Sequence, residues 1–176
     1  MRVISGTLRG RRFNPPVNLP VRPTTDIAKE SLFNILNNHI DFEEVNALDL
    51  FAGTGNISIE LVSRGCISVT AVDINFKCTD FIKKTAAAFN ISNLQIIKSN
   101  VFSFLKFASK PYQLIFADPP YDLEGILKIP EMIFERNLLA ENGMLVIEHS
   151  RDTNFEEHPR FVEKRNYGKV NFSMFR

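Results

Sequence analysis

The sequence predicts an α/β domain: a mostly parallel sheet flanked by helices, closed by an antiparallel last strand and preceded by a short N-terminal β-hairpin arm. Three observations predict it. Short apolar runs of strand length alternate with segments of helical periodicity from Ala47 onward. A glycine-rich turn separates the first strand from the helix after it. The last two apolar runs, Phe161 to Arg165 and Val170 to Phe175, have only a turn near Gly168 between them, so they must pair antiparallel.

The elements follow in order. Val3 to Phe13 mixes apolar residues with arginines around Gly6 and Gly10, which suits a hairpin. Asn14 to Pro23 holds Pro15, Pro16, Pro20 and Pro23 and reads as an extended connector. Thr24, Thr25 and Asp26 offer N-cap oxygens for a helix carried by Ile27, Ala28, Leu32, Phe33, Ile35 and Leu36 to about His39. The strands are expected at Ala47 to Phe51, Ser68 to Val72, Leu94 to Ile97, Leu114 to Ala117 and Met144 to Glu148. Ile57, Leu61 and Val62 mark one intervening helix, stopped at Gly65, and Phe81, Ile82 and Phe89 mark another. Residues 1–23 thus form arm and connector, and residues 24–176 one domain.

Composition narrows the function classes. A chain of 176 residues with 44% hydrophobic and 23% charged residues buries one ordinary core, which argues against disorder and fibrous repeats. No apolar run approaches a membrane span or a signal segment, so a cytoplasmic protein is expected. Cys66 and Cys78 lack metal-ligand spacing with the histidines, and no metal is expected. The net charge of +1 hides an asymmetry: Arg2, Arg9, Arg11, Arg12 and Arg22 give residues 1–22 a charge of +5 with no acid among them. A basic arm on an acidic body makes nucleic acid a candidate partner, with these five arginines as its contacts.

Asp49, Leu50, Phe51, Ala52, Gly53, Thr54 and Gly55 stand between the first strand and its helix. Glycines there admit a ligand close to the backbone, and the helix N-terminus presents unpaired N–H groups. A dinucleotide loop would place Gly or Ala where Ser58 stands. Asp49 would repel a pyrophosphate and suit an ammonium group. Asp73, twenty residues beyond Gly53, ends the second strand where an acid accepts both hydroxyls of a ribose, with a helix N-cap as its other reading. Asn100 offers an amide to an adenine edge, or ordinary turn chemistry. Ribose, adenine and a zwitterionic amino-acid head together describe S-adenosylmethionine better than a dinucleotide.

The fourth strand ends in Asp118, Pro119, Pro120 and Tyr121. Two prolines fix successive φ angles and leave a rigid turn whose carbonyls remain acceptors. Such a turn holds an exocyclic NH2 between the Asp118 carboxylate and the Pro119 carbonyl while Tyr121 stacks on the base. Two acceptors localise the lone pair of a weakly nucleophilic aryl amine and aim it at a methyl donor.

With both motifs in place, the chain resembles the Rossmann-like class I S-adenosylmethionine-dependent methyltransferases, and within them the bacterial family that methylates guanine N2 in small-subunit ribosomal RNA. The closer resemblance rests on Arg9 to Arg11, on Arg22 to Asp26 with Glu30, Leu32, Phe33 and Asn34, on Phe51 to Gly55 with Glu60 and Ser63 to Gly65, and on Asp118 to Tyr121. It implies a seven-stranded sheet whose last strand is antiparallel. It also implies that Gly53, Thr54 and Gly55 hold the methionine end of the cofactor, Asp73 the ribose, Asn100 with Val101 the adenine, and Asp118 to Tyr121 the target amine. Asp49, Phe51, Ala52 and Ile74 complete the candidate cofactor set. The implied partner is ribosomal RNA or a small-subunit assembly intermediate, met by a monomer. The tail after Ser150 matches no motif.

Two other readings stay open: an adenine-N6 or cytosine-N4 methyltransferase on DNA or RNA, and a non-catalytic nucleic-acid binding module. A nicotinamide oxidoreductase is disfavoured by Ser58 and Asp49. His39, His149 and His158 are scattered and read as structural, Cys66 and Cys78 as small core residues, and Glu60 as a surface or supporting residue. Glu148 stands at a strand end that could face the cleft.

Overall fold

The structure, a computed structural model, describes residues 1–16, 19, 26–168 and 170–176. Arg22, the prolines Pro20 and Pro23 and the expected cap residues Thr24 and Thr25 lie outside the described residues. The helices are α1 (Asp26–Leu36), α2 (Asn56–Ser63), α3 (Phe76–Ala88), α4 (Val101–Phe107) and α5 (Lys128–Glu135). The strands are β1 (Asn46–Leu50), β2 (Ser68–Asp73), β3 (Leu94–Lys98), β4 (Tyr112–Ala117), β5 (Leu139–His149), β6 (Phe161–Tyr167) and β7 (Val170–Phe175). They form one sheet in the order β3-β2-β1-β4-β5-β7-β6, parallel from β3 to β5, with β7 antiparallel to both its neighbours. Among the described residues, no helix is long and apolar enough to cross a membrane.

Strand alternation sorts the core onto two faces. Ala47, Leu114, Phe116 and Val146 pack with Leu32, Phe33 and Leu36 of α1 and Ile57 and Leu61 of α2. Leu48, Leu50, Ile115, Ala117, Leu145 and Ile147 pack on the other face with Leu105 of α4 and Ile129 and Ile133 of α5. Helix α1 stops three residues short of the expected His39, where Asn37, Asn38 and His39 form a turn of weak helix formers. Strand β1 ends at Leu50 because Phe51 turns left-handed, with φ 64°. Two helices carried no clear sequence signal. Helix α4 has seven residues, too few to show a period, and α5 carries Pro130 in its first turn, where its missing N–H costs nothing.

The arm folds back on itself through one antiparallel bridge, Arg2 opposite Arg12, rather than through two strands. Val3 N–H donates to the Arg11 carbonyl at 2.9 Å, and Gly10 N–H returns a bond to the Val3 carbonyl at 2.9 Å. It does not project. Val3 and Phe13 are buried against Ile59 of α2, and Phe13 meets the rings of Phe81 of α3 and of Phe89 just past its end. Gly6 is forced by this docking: its φ is +80°, and a Cβ there would stand 1.7 Å from the Ser63 carbonyl oxygen.

Candidate functional site

The turn from β1 to α2 compresses three left-handed residues into five positions: Phe51 at 64°, Gly53 at 55° and Gly55 at 75°. For a phenylalanine this conformation is strained, and such strain persists where surrounding contacts impose it. They do: Ala52 N–H donates to the Val72 carbonyl at 2.9 Å, Gly55 N–H to the Ala52 carbonyl at 2.7 Å, and Gly53 N–H to Asp73 Oδ2 at 2.7 Å. A Cβ at Gly55 would meet Ile82 Cγ1 at 2.8 Å, so the glycine is required by close approach to α3. Gly55 is the N-cap of α2 and supplies no side-chain cap, leaving the first N–H groups of that helix directed at the loop.

The carboxyl edge of the sheet carries a row of acids. Reading across β2, β1, β4 and β5, Asp73, Asp49, Asp118 and Glu148 stand within one residue of the strand ends, one per strand. Each is an even step from a residue packed on the α1/α2 face (Val69, Ala47, Phe116 and Val146), so all four share that face. Asp49 is 1% exposed and accepts the Ser58 hydroxyl; burial pushes its carboxyl up to about 7, with Asp118 and Asp73 adding repulsion. Burial likewise pushes Asp118 up to about 7. Glu148 rises to about 8 through burial and the neighbouring Asp118, opposed by a hydrogen bond from Tyr121. Asp73 uses Oδ2 on Gly53 N–H and Oδ1 on Asn75 N–H, both at 2.7 Å, while the helix cap itself is Asn75. The Asp118 to Tyr121 turn is anchored by Asp118 N–H on the Leu50 carbonyl at 3.4 Å and by Leu123 N–H on the Pro120 carbonyl at 2.9 Å. Tyr121 is 56% exposed.

The structure gathers Asp49, Phe51 to Gly55, Asp73 and Asp118 to Tyr121 around one edge. Ile74 follows Asp73 with 63% of its surface exposed. Ser99 N–H donates to the Asp73 carbonyl at 3.0 Å and so brings the loop after β3 alongside. In that loop Asn100 is the N-cap of α4, its Oδ1 accepting from Ser103 N–H at 3.1 Å, and Val101 is buried as the first residue of the helix. The set fits S-adenosylmethionine. A sheet edge that carries acids beside a glycine loop favours a ligand with cationic groups and a ribose, and disfavours a pyrophosphate.

The arginines are arranged differently. Arg2 pairs with Asp26 at 3.3 Å and Glu30 at 3.6 Å, and Arg11 lies 5.0 Å over the Phe89 ring. Arg9 and Arg12 are exposed and make no ion pair among the described residues. The arm reaches the glycine loop directly, for Thr54 Oγ1 donates to Met1 Sδ at 3.1 Å.

Of the two readings of Glu60, surface or supporting, the structure bears out the supporting one. It is fully buried and binds Ile4 N–H at 2.8 Å, Ser5 N–H at 3.0 Å, Arg64 Nε at 3.0 Å and Lys29 Nζ at 3.2 Å. Lys29, which the sequence reading passed over, is also fully buried; it donates to the Arg2 carbonyl at 2.6 Å and to Asn56 Oδ1 at 2.9 Å. The signal was there: Lys29 sits on the apolar stripe of Phe33 and Leu36. Among the described residues, no group of three or more His, Cys, Asp or Glu is placed to hold a metal ion.

Comparison with known proteins agrees with this geometry. The family model described as "Conserved hypothetical protein 95" matches residues 1–176. "Ribosomal RNA small subunit methyltransferase D" of Buchnera aphidicola subsp. Baizongia pistaciae is 33% identical over 155 residues, covering 88% of this chain and 78% of its own. "Putative rRNA methyltransferase YlbH" of Bacillus subtilis is 32% identical over 183 residues, covering 100% and 98%. Among solved structures, "Putative methyltransferase yhhF from Escherichia coli" superposes with a TM-score of 0.85 at 26% identity, covering 99% of this chain and 96% of that one. The fold is that of the class I methyltransferases, and the chain belongs to the Conserved hypothetical protein 95 family, alongside relatives named as small-subunit ribosomal RNA methyltransferases.

Proposed function

We propose that this protein transfers the methyl group of S-adenosylmethionine to the exocyclic N2 amine of a guanine in small-subunit (16S) ribosomal RNA. The observation that carries the reading is the Asp118-Pro119-Pro120-Tyr121 turn at the carboxyl end of β4, directly beside the glycine loop that ends β1. When bound, S-adenosylmethionine supplies an electrophilic sulfonium methyl. Gly53, Thr54 and Gly55 admit its methionine end and Asp49 faces the ammonium group. Asp73, with Ile74 beside it, takes the ribose; Asn100 and Val101 take the adenine through the groups that helix capping leaves open. Asp118 and the Pro119 carbonyl accept the two amine protons, which orients the nitrogen lone pair, and Pro120 fixes the turn. The proton shed as the N–C bond forms passes to an Asp118 oxygen, and the Tyr121 ring stacks on the base. Arg2, Arg9, Arg11, Arg12 and Arg22 contact RNA phosphates. The protein acts as a cytoplasmic monomer on ribosomal RNA or an assembling small subunit.

The experiment is incubation with labelled S-adenosylmethionine and small-subunit RNA, free or assembled, followed by mass spectrometry of the nucleosides. N2-methylguanosine is expected. N6-methyladenosine or N4-methylcytidine would replace the guanine assignment, and no transfer to either RNA form would favour a binding module.

A further inference from the structure

Among the described residues, Glu148 Oε2 stands out as a buried side-chain oxygen with no hydrogen-bond partner, in a residue 5% exposed. An unsatisfied carboxylate oxygen is costly to bury and calls for a reason. Its location supplies one. The β4–β5 register pairs Ala117 with Ile147, which carries Asp118 alongside Glu148 on the same face of the sheet. The groups acting on Glu148 are Asp118 and the Tyr121 hydroxyl from the turn after β4, while β7 sets the apolar Phe172 opposite it and Asp49 of β1 acts on its neighbour Asp118. The end of the acid row beside the tetrapeptide therefore presents two adjacent carboxylates.

Resting on the guanine reading above, we infer that Glu148 is a specificity-determining residue: its free oxygen accepts the ring N1–H of the target guanine while Asp118 holds the adjoining N2 amine. Guanine presents N1–H and N2–H2 side by side, a run of donors with no acceptor between them. Adenine and cytosine present an NH2 beside a ring-nitrogen acceptor, N1 or N3. Against the ionised Glu148 carboxylate that acceptor would leave two acceptors unpaired and repelling each other, which is how a polar site rejects a near-isostere. Glu148 accepts N1–H most strongly, and rejects the other edges, when it is ionised. With its carboxyl raised to about 8, the empty pocket retains a proton at neutral pH that guanine must displace.

The test is single-turnover methyl transfer to small-subunit RNA, free and assembled, from acid to alkaline pH, with the product nucleoside identified separately. The wild-type rate should rise as pH passes through about 8. Glu148→Leu, which keeps the volume and loses the acceptor, should lower the rate at neutral pH by about 10- to 100-fold. Glu148→Gln keeps an acceptor oxygen and should recover part of that loss, with the rise moved down to about 7, where the remaining Asp118 carboxyl titrates. Calorimetric affinity for S-adenosylmethionine within a few-fold of wild type establishes that both variants are folded; if Glu148→Leu does not fold, Glu148→Gln decides. Wild-type rates, or a uniform loss in Glu148→Gln with an unchanged pH profile, overturn the role. N2-methylguanosine from the wild type alongside either result sinks this inference alone, whereas methylated adenine or cytosine sinks the guanine reading with it.

Discussion

The Ser58 hydroxyl donates to the Asp49 carboxylate from the position where a dinucleotide loop would carry its third glycine. A serine there is therefore part of how the loop accommodates a buried acid. Since the Asp49 carboxyl is raised from its ordinary range to about 7, it is half-protonated at neutral pH, and a cationic ligand must find it ionised. S-adenosylmethionine affinity should rise from pH 6 to 8 and level off, with proton release at pH 7 visible by calorimetry in buffers of different ionisation enthalpy. Ser58→Ala removes a bond that lowers this pKa and should weaken binding at pH 7 more than at pH 8.5. The folded state prefers the protonated acid, so this group's contribution to stability falls as pH rises from about 4 through 7. Asp49→Asn should accordingly raise Tm at pH 8 while weakening cofactor binding.

Asp118→Ala should abolish methyl transfer with cofactor affinity within a few-fold of wild type, measured by single-turnover assay and calorimetry. Tyr121→Phe keeps the stacking face and should retain most activity, but without its hydrogen bond the Glu148 carboxyl moves further up, shifting the pH–rate profile to alkaline. Tyr121→Ala should lose both. Equal losses in the two tyrosine variants would refute stacking.

Glu60→Ala should cost about 3 to 5 kcal/mol in denaturant titration, since it leaves the Lys29 ammonium buried beside no carboxylate. Glu60→Gln with Lys29→Met should recover much of that loss. A cost below 1 kcal/mol would mean that the arm is not anchored here.

Changing Arg9, Arg11 and Arg12 together to Glu should weaken RNA binding and flatten its salt dependence. Each lost phosphate contact removes about 0.7 to 0.9 from the slope of log K against log salt. An identical slope would show that these side chains do not touch RNA. Arg2 is better left out of the variant, because its pairs with Asp26 and Glu30 tie it to α1.

The succession of strands and helices and the glycine loop were legible because their signals are local: apolar runs, glycines and prolines at fixed offsets. Glu60 was not, because a charge on a helix looks solvated until another segment covers it; Lys29 was legible only as a charge out of place on an apolar stripe. All of Asn56 to Leu61 is buried, and part of that cover is an arm more than fifty residues away in sequence. Glu148 was visible as a strand-end acid, but its missing partner emerges only when β4 and β5 are set in register. For Asn100 the sequence left adenine and turn chemistry even; the backbone uses Oδ1 as a cap and the amide nitrogen stays available to the proposed contact.

The docked arm has a kinetic corollary. Its bonds from Ile4, Ser5 and Leu8 to Glu60 and Ser63 close loops of 55 or 56 residues, so they form only after α2 has a surface to receive them. Contacts acquired last, at the chain's edge, are also the first to open in native-state fluctuations. Hydrogen exchange at Ile4 and Ser5 thus reads out a local opening that uncovers Glu60 and withdraws Met1 from Thr54. A ligand that holds Thr54 in place must slow that exchange without touching either amide, making the arm a reporter of occupancy at the far end of its own hydrogen-bond chain.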